Sequence, residues 1–102
     1  MFELISFRGQ DIPYTSEWQD NDTYLFRFGD GEFMDSEGDD YYLRFEYHVS
    51  DEEWIIEIQW VDDNMDISEL DQFDSDKYIT KEEIEGVKNF IRQINPALFF
   101  AN

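Results

Sequence analysis

Carboxylates dominate this chain and set the chemistry that it could perform. The sequence of 102 residues contains 26 Asp and Glu against seven Lys and Arg, which gives a formal net charge of −19. Small domains usually carry a net charge of magnitude about 2–8, and a larger excess lowers stability through self-repulsion. We therefore interpret the charge as a working property of the surface, directed at a positively charged partner.

Three runs of acids, at 30–40, 51–53 and 62–76, supply the candidate partner-binding surface. Acids on a rigid sheet can imitate phosphates, because strand neighbours i and i+2 lie about 6.6–6.8 Å apart and duplex DNA carries about one charge per 1.7 Å. The alternative is that each run is a solvated loop. The predicted partner-binding residues are Asp30, Glu32, Asp35, Glu37, Asp39, Asp40, Tyr42, Asp51, Glu52, Glu53, Asp62, Asp63, Asp66, Glu69, Asp71, Asp74 and Asp76. Trp18 and Tyr14 are further candidate aromatic contacts.

The sequence gives little support for catalysis. His48 is the only histidine, and no motif places a serine beside it. The absence of cysteine excludes thiolate chemistry and disulfides. Pairs of carboxylates are abundant, but a hydrolase needs two of them in different environments within a cleft. We expect no enzymatic activity and no cofactor.

A calcium site is not expected either. Asp62, Asn64 and Asp66 match the first three positions of an EF-hand loop. Ile67 stands where that loop needs glycine, and Phe73 stands where it needs a bidentate glutamate. Weak, nonspecific binding of divalent cations by residues 62–76 stays open.

The sign of the charge also limits the partners. Direct binding to nucleic acid or to an anionic membrane requires basic patches, whereas the seven bases are scattered among acids. Residues 1–8 have neither a basic leader nor a long apolar run, so we expect no signal peptide and a cytoplasmic location. The expected partner is a basic protein, a nuclease toxin or another nucleic-acid-handling protein.

Alternating apolar residues predict the strands that must position these acids. Residues 2–8, 23–28, 41–49 and 53–61 each read as a strand, and 9–22 reads as a loop in which Trp18 contacts the core. Asp30–Gly31 predicts a hairpin, with a return strand beginning at Phe33 and Met34.

The C-terminal third predicts helices. Ile67, Leu70 and Phe73 could form one helical turn within 62–76. Thr80 and Glu83 form a capping box that begins a helix, and Asn95–Pro96 ends it. An apolar stripe follows that helix and consists of Ile84, Val87, Ile91 and Ile94, with Phe90 beside it. The apolar tail 97–101 is expected to dock.

Together these elements predict one α+β domain over residues 1–102. We expect an antiparallel sheet of about four to five strands, with the C-terminal helix packed on one face. The order of strands first and helix last supports this arrangement.

In composition the whole chain resembles two groups of small acidic proteins. One group is the bacterial immunity proteins that neutralise nuclease toxins, and the other is the phage-type DNA mimics that block restriction, repair or CRISPR enzymes. The full alternating core favours the first, because phage mimics are often poorer in core-forming residues. The resemblance implies an inhibitor that occludes a basic active site. An acidic structural adaptor, or a protein from a salt-loving organism, are the alternatives.

Overall fold

The computed structural model describes residues 3–29, 41–60 and 63–96, and its elements follow each other closely along the chain. In order they are β1 (Leu4–Phe7), β2 (Gln10–Trp18), β3 (Thr23–Phe28), β4 (Tyr42–His48), β5 (Glu53–Gln59), β6 (Asn64–Asp66), a 3-10 turn (Ile67–Glu69), α1 (Gln72–Tyr78) and α2 (Lys81–Ile94). The predicted turn at Asp30–Gly31, the return strand from Phe33 and the docking tail 97–101 lie outside the described residues.

The strands form one antiparallel sheet in which spatial order equals chain order, β1-β2-β3-β4-β5-β6. The α+β class is confirmed, but the expectation of four to five strands was wrong by at least one. The segment 9–22 was expected to be a loop, yet most of it forms β2. Its alternation is hidden because Ile12 is the only buried residue of that strand. The second unexpected strand is β6, within the acidic segment 62–76.

One face of the sheet carries the core, as the alternation predicts. The buried side chains of β3, β4 and β5 are Tyr24, Phe26, Phe28, Leu43, Phe45, Tyr47, Ile56 and Ile58. We call this the inner face. Both helices contact it: the Phe90 ring of α2 lies 6.0 Å from that of Phe26, and the Tyr78 ring of α1 lies 5.1 Å from that of Tyr41.

Helix α2 begins as its sequence predicts. The Thr80 amide donates to Glu83 Oε1 at 2.9 Å, and the Glu83 amide donates to Thr80 Oγ1 at 3.2 Å, which completes the capping box. Val87 and Ile91 are buried in the core, whereas Ile94 is 37% exposed, so the apolar stripe loses contact with the sheet in the last turn. The helix ends at Asn95, as expected.

Arg8 connects the first hairpin to both helices. Arg8 and Gly9 form the two-residue turn between β1 and β2, with φ of 53° and 78°, the signs that a type I′ turn requires. The guanidinium donates to both carboxylate oxygens of Glu83, at 2.7 and 2.8 Å. It also donates to the carbonyls of Asp76 and Lys77 at the end of α1.

The other, outer face of the sheet carries a line of ion pairs. Arg44 pairs with Glu46, at 2.9 Å, and with Glu57, at 2.5 Å. Glu46 also contacts His48 Nε2 at 2.6 Å. Since cross-strand partners share a face, these side chains interact with each other across β4 and β5.

Neither α1 nor α2 has the length and apolar character that crossing a lipid bilayer requires, and no other helix of the described ranges does.

Candidate acidic interaction surface

The structure describes only part of the three predicted acidic runs. The first, with Asp30, Glu32, Asp35, Glu37, Asp39 and Asp40, lies outside the described residues, as does Asp62 of the third. The structure therefore places Asp51, Glu52 and Glu53 of the second run and the remaining acids of the third.

Three carboxylates of the third run accept hydrogen bonds from backbone amides close to them in the sequence. Asp66 caps the 3-10 turn by accepting from the Ser68 amide, and Asp71 caps α1 by accepting from the Asp74 amide. Asp63 accepts from the Asn64 amide at 2.8 Å. Such caps satisfy amides that a helix or turn leaves without a partner.

Side chains engage two more acids of that run. Asp74 pairs with Lys77 at 3.3 Å, and Asp76 accepts from Gln72 Nε2 at 2.7 Å. Glu69 is exposed and accepts no hydrogen bond from another described residue. Most of the run thus has a structural use that does not require a partner.

The second run lies at the end of the sheet where two hairpin turns meet. The start of β3 pairs with the end of β2 and with the end of β4, and the end of β4 pairs with the start of β5. The turns 19–22 and 49–52 therefore lie side by side at the same end of the sheet. These turns and the adjoining strand residues bring six acids together without a Lys or Arg among 17–22 and 50–53. We call this group the acidic rim; its members are Glu17, Asp20, Asp22, Asp51, Glu52 and Glu53.

Two rim carboxylates build the turns themselves. Asp20 accepts from the amides of Asp22 and Thr23, both at 2.8 Å. These hydrogen bonds hold the pKa of Asp20 below its ordinary value, so the carboxylate stays charged. Asp22 accepts from the amide and the hydroxyl of Ser50, both at 2.9 Å, and so ties one turn to the other.

The other four rim carboxylates are available to a partner. Glu17, Asp51, Glu52 and Glu53 are exposed, and none accepts a hydrogen bond from another described residue. Glu52 has a φ of 52°, a left-handed conformation that costs a non-glycine residue about 1 kcal/mol. The turn thus keeps a charged side chain at a position that glycine would occupy more easily.

The charge density of the acidic rim is lower than that of duplex DNA but of the same order. The rim spans four neighbouring strands, β2 to β5. Four strands cover about 14 Å, so six carboxylates give about one charge per 2.4 Å, compared with about 1.7 Å in the duplex.

Of the three aromatic candidates, Trp18 is the one at the acidic rim. It is 48% exposed, and its ring meets the edge of Tyr24 at 5.4 Å. Tyr14 instead belongs to the core layer, stacked on Phe26 at 4.8 Å. Tyr42 lies on the outer face, where the Arg27 guanidinium stacks on its ring at 4.7 Å.

The bases are mostly occupied by contacts within the protein. Arg8, Arg44, Lys77 and Lys88 each form an ion pair with an acid outside the acidic rim. Arg92 donates to Asn89 Oδ1 at 2.7 Å. The rim carboxylates are therefore left without a Lys or Arg counterion among the described ion pairs.

His48 lies next to the acidic rim, opposite Glu53 across β4 and β5, and its ring contacts Glu46 on the outer face. The hydrogen bond with Glu46 raises the pKa of His48 above its ordinary value, with smaller contributions from Glu53 and Asp22. This contact favours the imidazolium, which suits an ion pair better than a general base. No three His, Asp or Glu side chains within the described ranges converge on a point that could hold a metal ion.

Comparison with known proteins gives no match to a family model, to a curated protein or to a solved structure.

Sequence reasoning missed Glu17, Asp20 and Asp22, because they lay in the segment expected to be a loop. A signal for the turn was present: Asp20 accepts from the amides two and three residues ahead, a bond that aspartate commonly forms in turns.

Proposed function

We propose that this protein is a stoichiometric inhibitor that presents the acidic rim to the basic active site of a nucleic-acid-handling protein. A nuclease toxin is the partner that we favour, which makes the protein an immunity protein acting in the cytoplasm by binding rather than by catalysis. The observation that carries the proposal is the rim itself: six carboxylates at a charge density of the same order as that of duplex DNA, with an exposed tryptophan at the same end.

The proposal is supported by the rigidity of the acidic rim. The Asp22–Ser50 hydrogen bonds join the two turns before any partner arrives. The fixed turns and the bonds of Asp20 and Asp22 lower the entropy that binding costs, and only the other four rim side chains remain to be ordered by a partner. Trp18 supplies the kind of aromatic contact on which protein interfaces often depend, and the surrounding acids steer a basic partner towards it.

The experiment compares two variants with the same change in net charge. In the rim variant Glu52→Lys and Glu53→Lys are combined. In the control Glu69→Lys and Glu82→Lys are combined, since both positions are exposed and lie away from the acidic rim. Each protein is immobilised and exposed to native host lysate at low salt. Captured proteins are identified, purified and assayed for nucleic-acid cleavage with one equivalent of each variant.

We expect the wild type and the control to capture and silence a nuclease, and the rim variant to lose at least about tenfold in affinity. Association should slow steeply as salt rises, because the attraction is electrostatic. Equal inhibition by both variants would refute the role of the acidic rim. A captured partner without any nucleic-acid chemistry would refute the inhibitor function in favour of an adaptor.

A further inference from the structure

The outer edge of β1, with which no strand of the described residues pairs, offers backbone hydrogen bonds to an added strand. The Tyr14 amide donates to the Glu3 carbonyl at 3.1 Å, which fixes the alternation along β1. Residues 3, 5 and 7 therefore direct their backbone groups towards β2, and Leu4 and Ser6 direct theirs away from it. Within the described residues no strand pairs with that outer edge, because β1 is the first strand of the sheet.

A groove of about 550 Å³ runs beside this edge, between β1 and α2. Apolar residues line it on both sides, Ile5 and Phe7 from the strand and Val87 and Phe90 from the helix, among polar residues such as Asn89 and Gln93. Leu4, at the mouth, is 45% exposed. A groove bounded by a strand edge and a helix is the form that strand-adding domains use to bind extended peptides.

Gly86 keeps the helix side of the groove open. It lies in the interior of α2, where glycine is among the least favourable residues. A Cβ built at this position meets no atom within 4 Å, so nothing in the described fold requires glycine there. Glycine at such a site allows another backbone to approach the helix closely.

Charge decides what kind of segment fits. Arg8 and Glu83 line the groove and neutralise each other, whereas Asp11, which also lines it, is exposed and accepts no hydrogen bond from another described residue. A second copy of this chain would bring a further charge of −19 to the same edge. An extended segment with basic residues is attracted instead.

We propose that this groove binds an extended segment of a partner protein, in which bulky apolar side chains alternate with basic ones. The segment adds to β1 as a further strand, with main-chain hydrogen bonds to Leu4 and Ser6. Its apolar side chains enter the groove against Phe90 and the exposed Gly86. This groove is separate from the acidic rim, and the proposal does not depend on whether the rim binds a nuclease.

The probe is a capped synthetic peptide of about six residues that alternates lysine with valine or phenylalanine. The control peptide has the same side chains and charge, but all of its backbone nitrogens are methylated, so it cannot donate the strand hydrogen bonds. Any attraction of lysine to the acidic rim is equal for both peptides. Hydrogen exchange of individual amides is measured by NMR with about 1 mM peptide.

We expect the probe to slow exchange at the Leu4 and Ser6 amides about tenfold and the N-methylated peptide to leave them unchanged. The Ile5 and Phe7 amides, which already face β2, serve as internal references. The Gly86→Ala variant should raise the thermal midpoint by about 4–8 °C, because alanine is the better helix former. Gly86→Leu should weaken probe binding at least about tenfold, whereas Glu82→Leu on the same helix should not.

Three results would overturn the proposal. One is unchanged exchange at Leu4 and Ser6 at the highest probe concentration. Another is equal probe binding by wild type and by the folded Gly86→Leu variant. The third is slower exchange at these amides when protein concentration rises without peptide, which would assign the edge to a second copy. None of these results bears on the rim variants, so the two proposals fail separately.

Discussion

The contact between Arg8 and Glu83 should contribute measurably to the stability of the fold, because it joins the first hairpin to the last helix. The perturbation is a double-mutant cycle of Arg8→Gln, Glu83→Gln and the combined variant. Glutamine keeps much of the shape of each side chain, and at position 83 it can still accept from the Thr80 amide, so the capping box survives. The cycle therefore isolates the charged contact.

The magnitude follows from geometry and exposure. The guanidinium and the carboxylate meet through two short hydrogen bonds, at 2.7 and 2.8 Å, and paired charge-assisted bonds of this kind are strong. The Arg8 side chain is 41% exposed, however, so solvent screening places the coupling near the upper end for surface pairs, at about 1 kcal/mol. Arg8→Gln alone should cost about 1.5–2 kcal/mol, since it also removes the donors to two carbonyls of α1.

The pH dependence gives the cycle a second check. The hydrogen bond from Arg8 lowers the pKa of Glu83 below its ordinary value of 4.5. A lowered folded pKa means that this stability is present above pH 4.5 and is lost as the pH falls through the folded value. The coupling energy should therefore be full at neutral pH and should shrink towards zero in acid.

The assay is urea unfolding followed by tryptophan fluorescence, at neutral and at acidic pH. The matched control is the cycle for Lys88 and Glu85, a pair at 3.6 Å on the same helix, for which we expect about 0.2–0.5 kcal/mol. A coupling for Arg8 and Glu83 no larger than this control would refute the reasoning, and so would a coupling that persists unchanged in acid.

Three further predictions concern backbone, charge and histidine. Replacing Glu52, whose φ is 52°, by glycine should stabilise the protein by about 0.5–1 kcal/mol in urea unfolding. Glu52→Ala removes the same charge but keeps the conformational cost, so an equal gain from both variants would contradict the backbone explanation. Because the net charge is −19, raising NaCl from low to physiological concentration should raise the thermal midpoint by about 5 °C, and a midpoint independent of salt would mean that repulsion is already neutralised. His48 should titrate by NMR above 6.5 because Glu46 favours its charged form. A raised pKa gives stability that is present below pH 6.5 and is lost as the pH rises through the folded value. The thermal midpoint of the wild type should therefore fall relative to that of His48→Gln on going to alkaline pH. A His48 pKa at or below 6.5 would exclude this explanation.

The elements that sequence predicted best are those whose burial follows a simple period. In β4, Leu43, Phe45 and Tyr47 alternate with half-buried polar residues, and the alternation gave the strand within a residue at each end. The start of α2 was equally clear, since Thr80 and Glu83 interact locally and need no other part of the chain.

β2 was not predicted because most of its side chains are exposed, so its residues do not alternate between apolar and polar. Most of its residues face solvent, and Pro13 argues against a strand. The fold tolerates this proline because its carbonyl still accepts from the Gly29 amide, at 3.4 Å, although the ring nitrogen has no proton to donate. A sequence alone does not show which single hydrogen bond a proline will keep.

The candidate surface was predicted only in part, because its residues are brought together by the pairing of strands that are apart in the sequence. Asp51 and Glu53 come near Asp20 and Asp22 through the register in which Thr23 opposes His48 and His48 opposes Glu53. That register depends on packing across four strands. The capping role of Asp71 is local, by contrast, and its spacing from Asp74 could have revealed it.

The chain-ordered sheet also bears on how the molecule forms. Each strand pairs with the next one along the chain, and every connection except the one between β3 and β4 is short. Local pairings of this kind favour rapid folding, and successive hairpins can assemble as the chain leaves the ribosome. The bond from Arg8 to Glu83 spans 75 positions and cannot form until α2 has been synthesised. The inner face of the sheet therefore stays uncovered by α2 until the end of the chain has been synthesised.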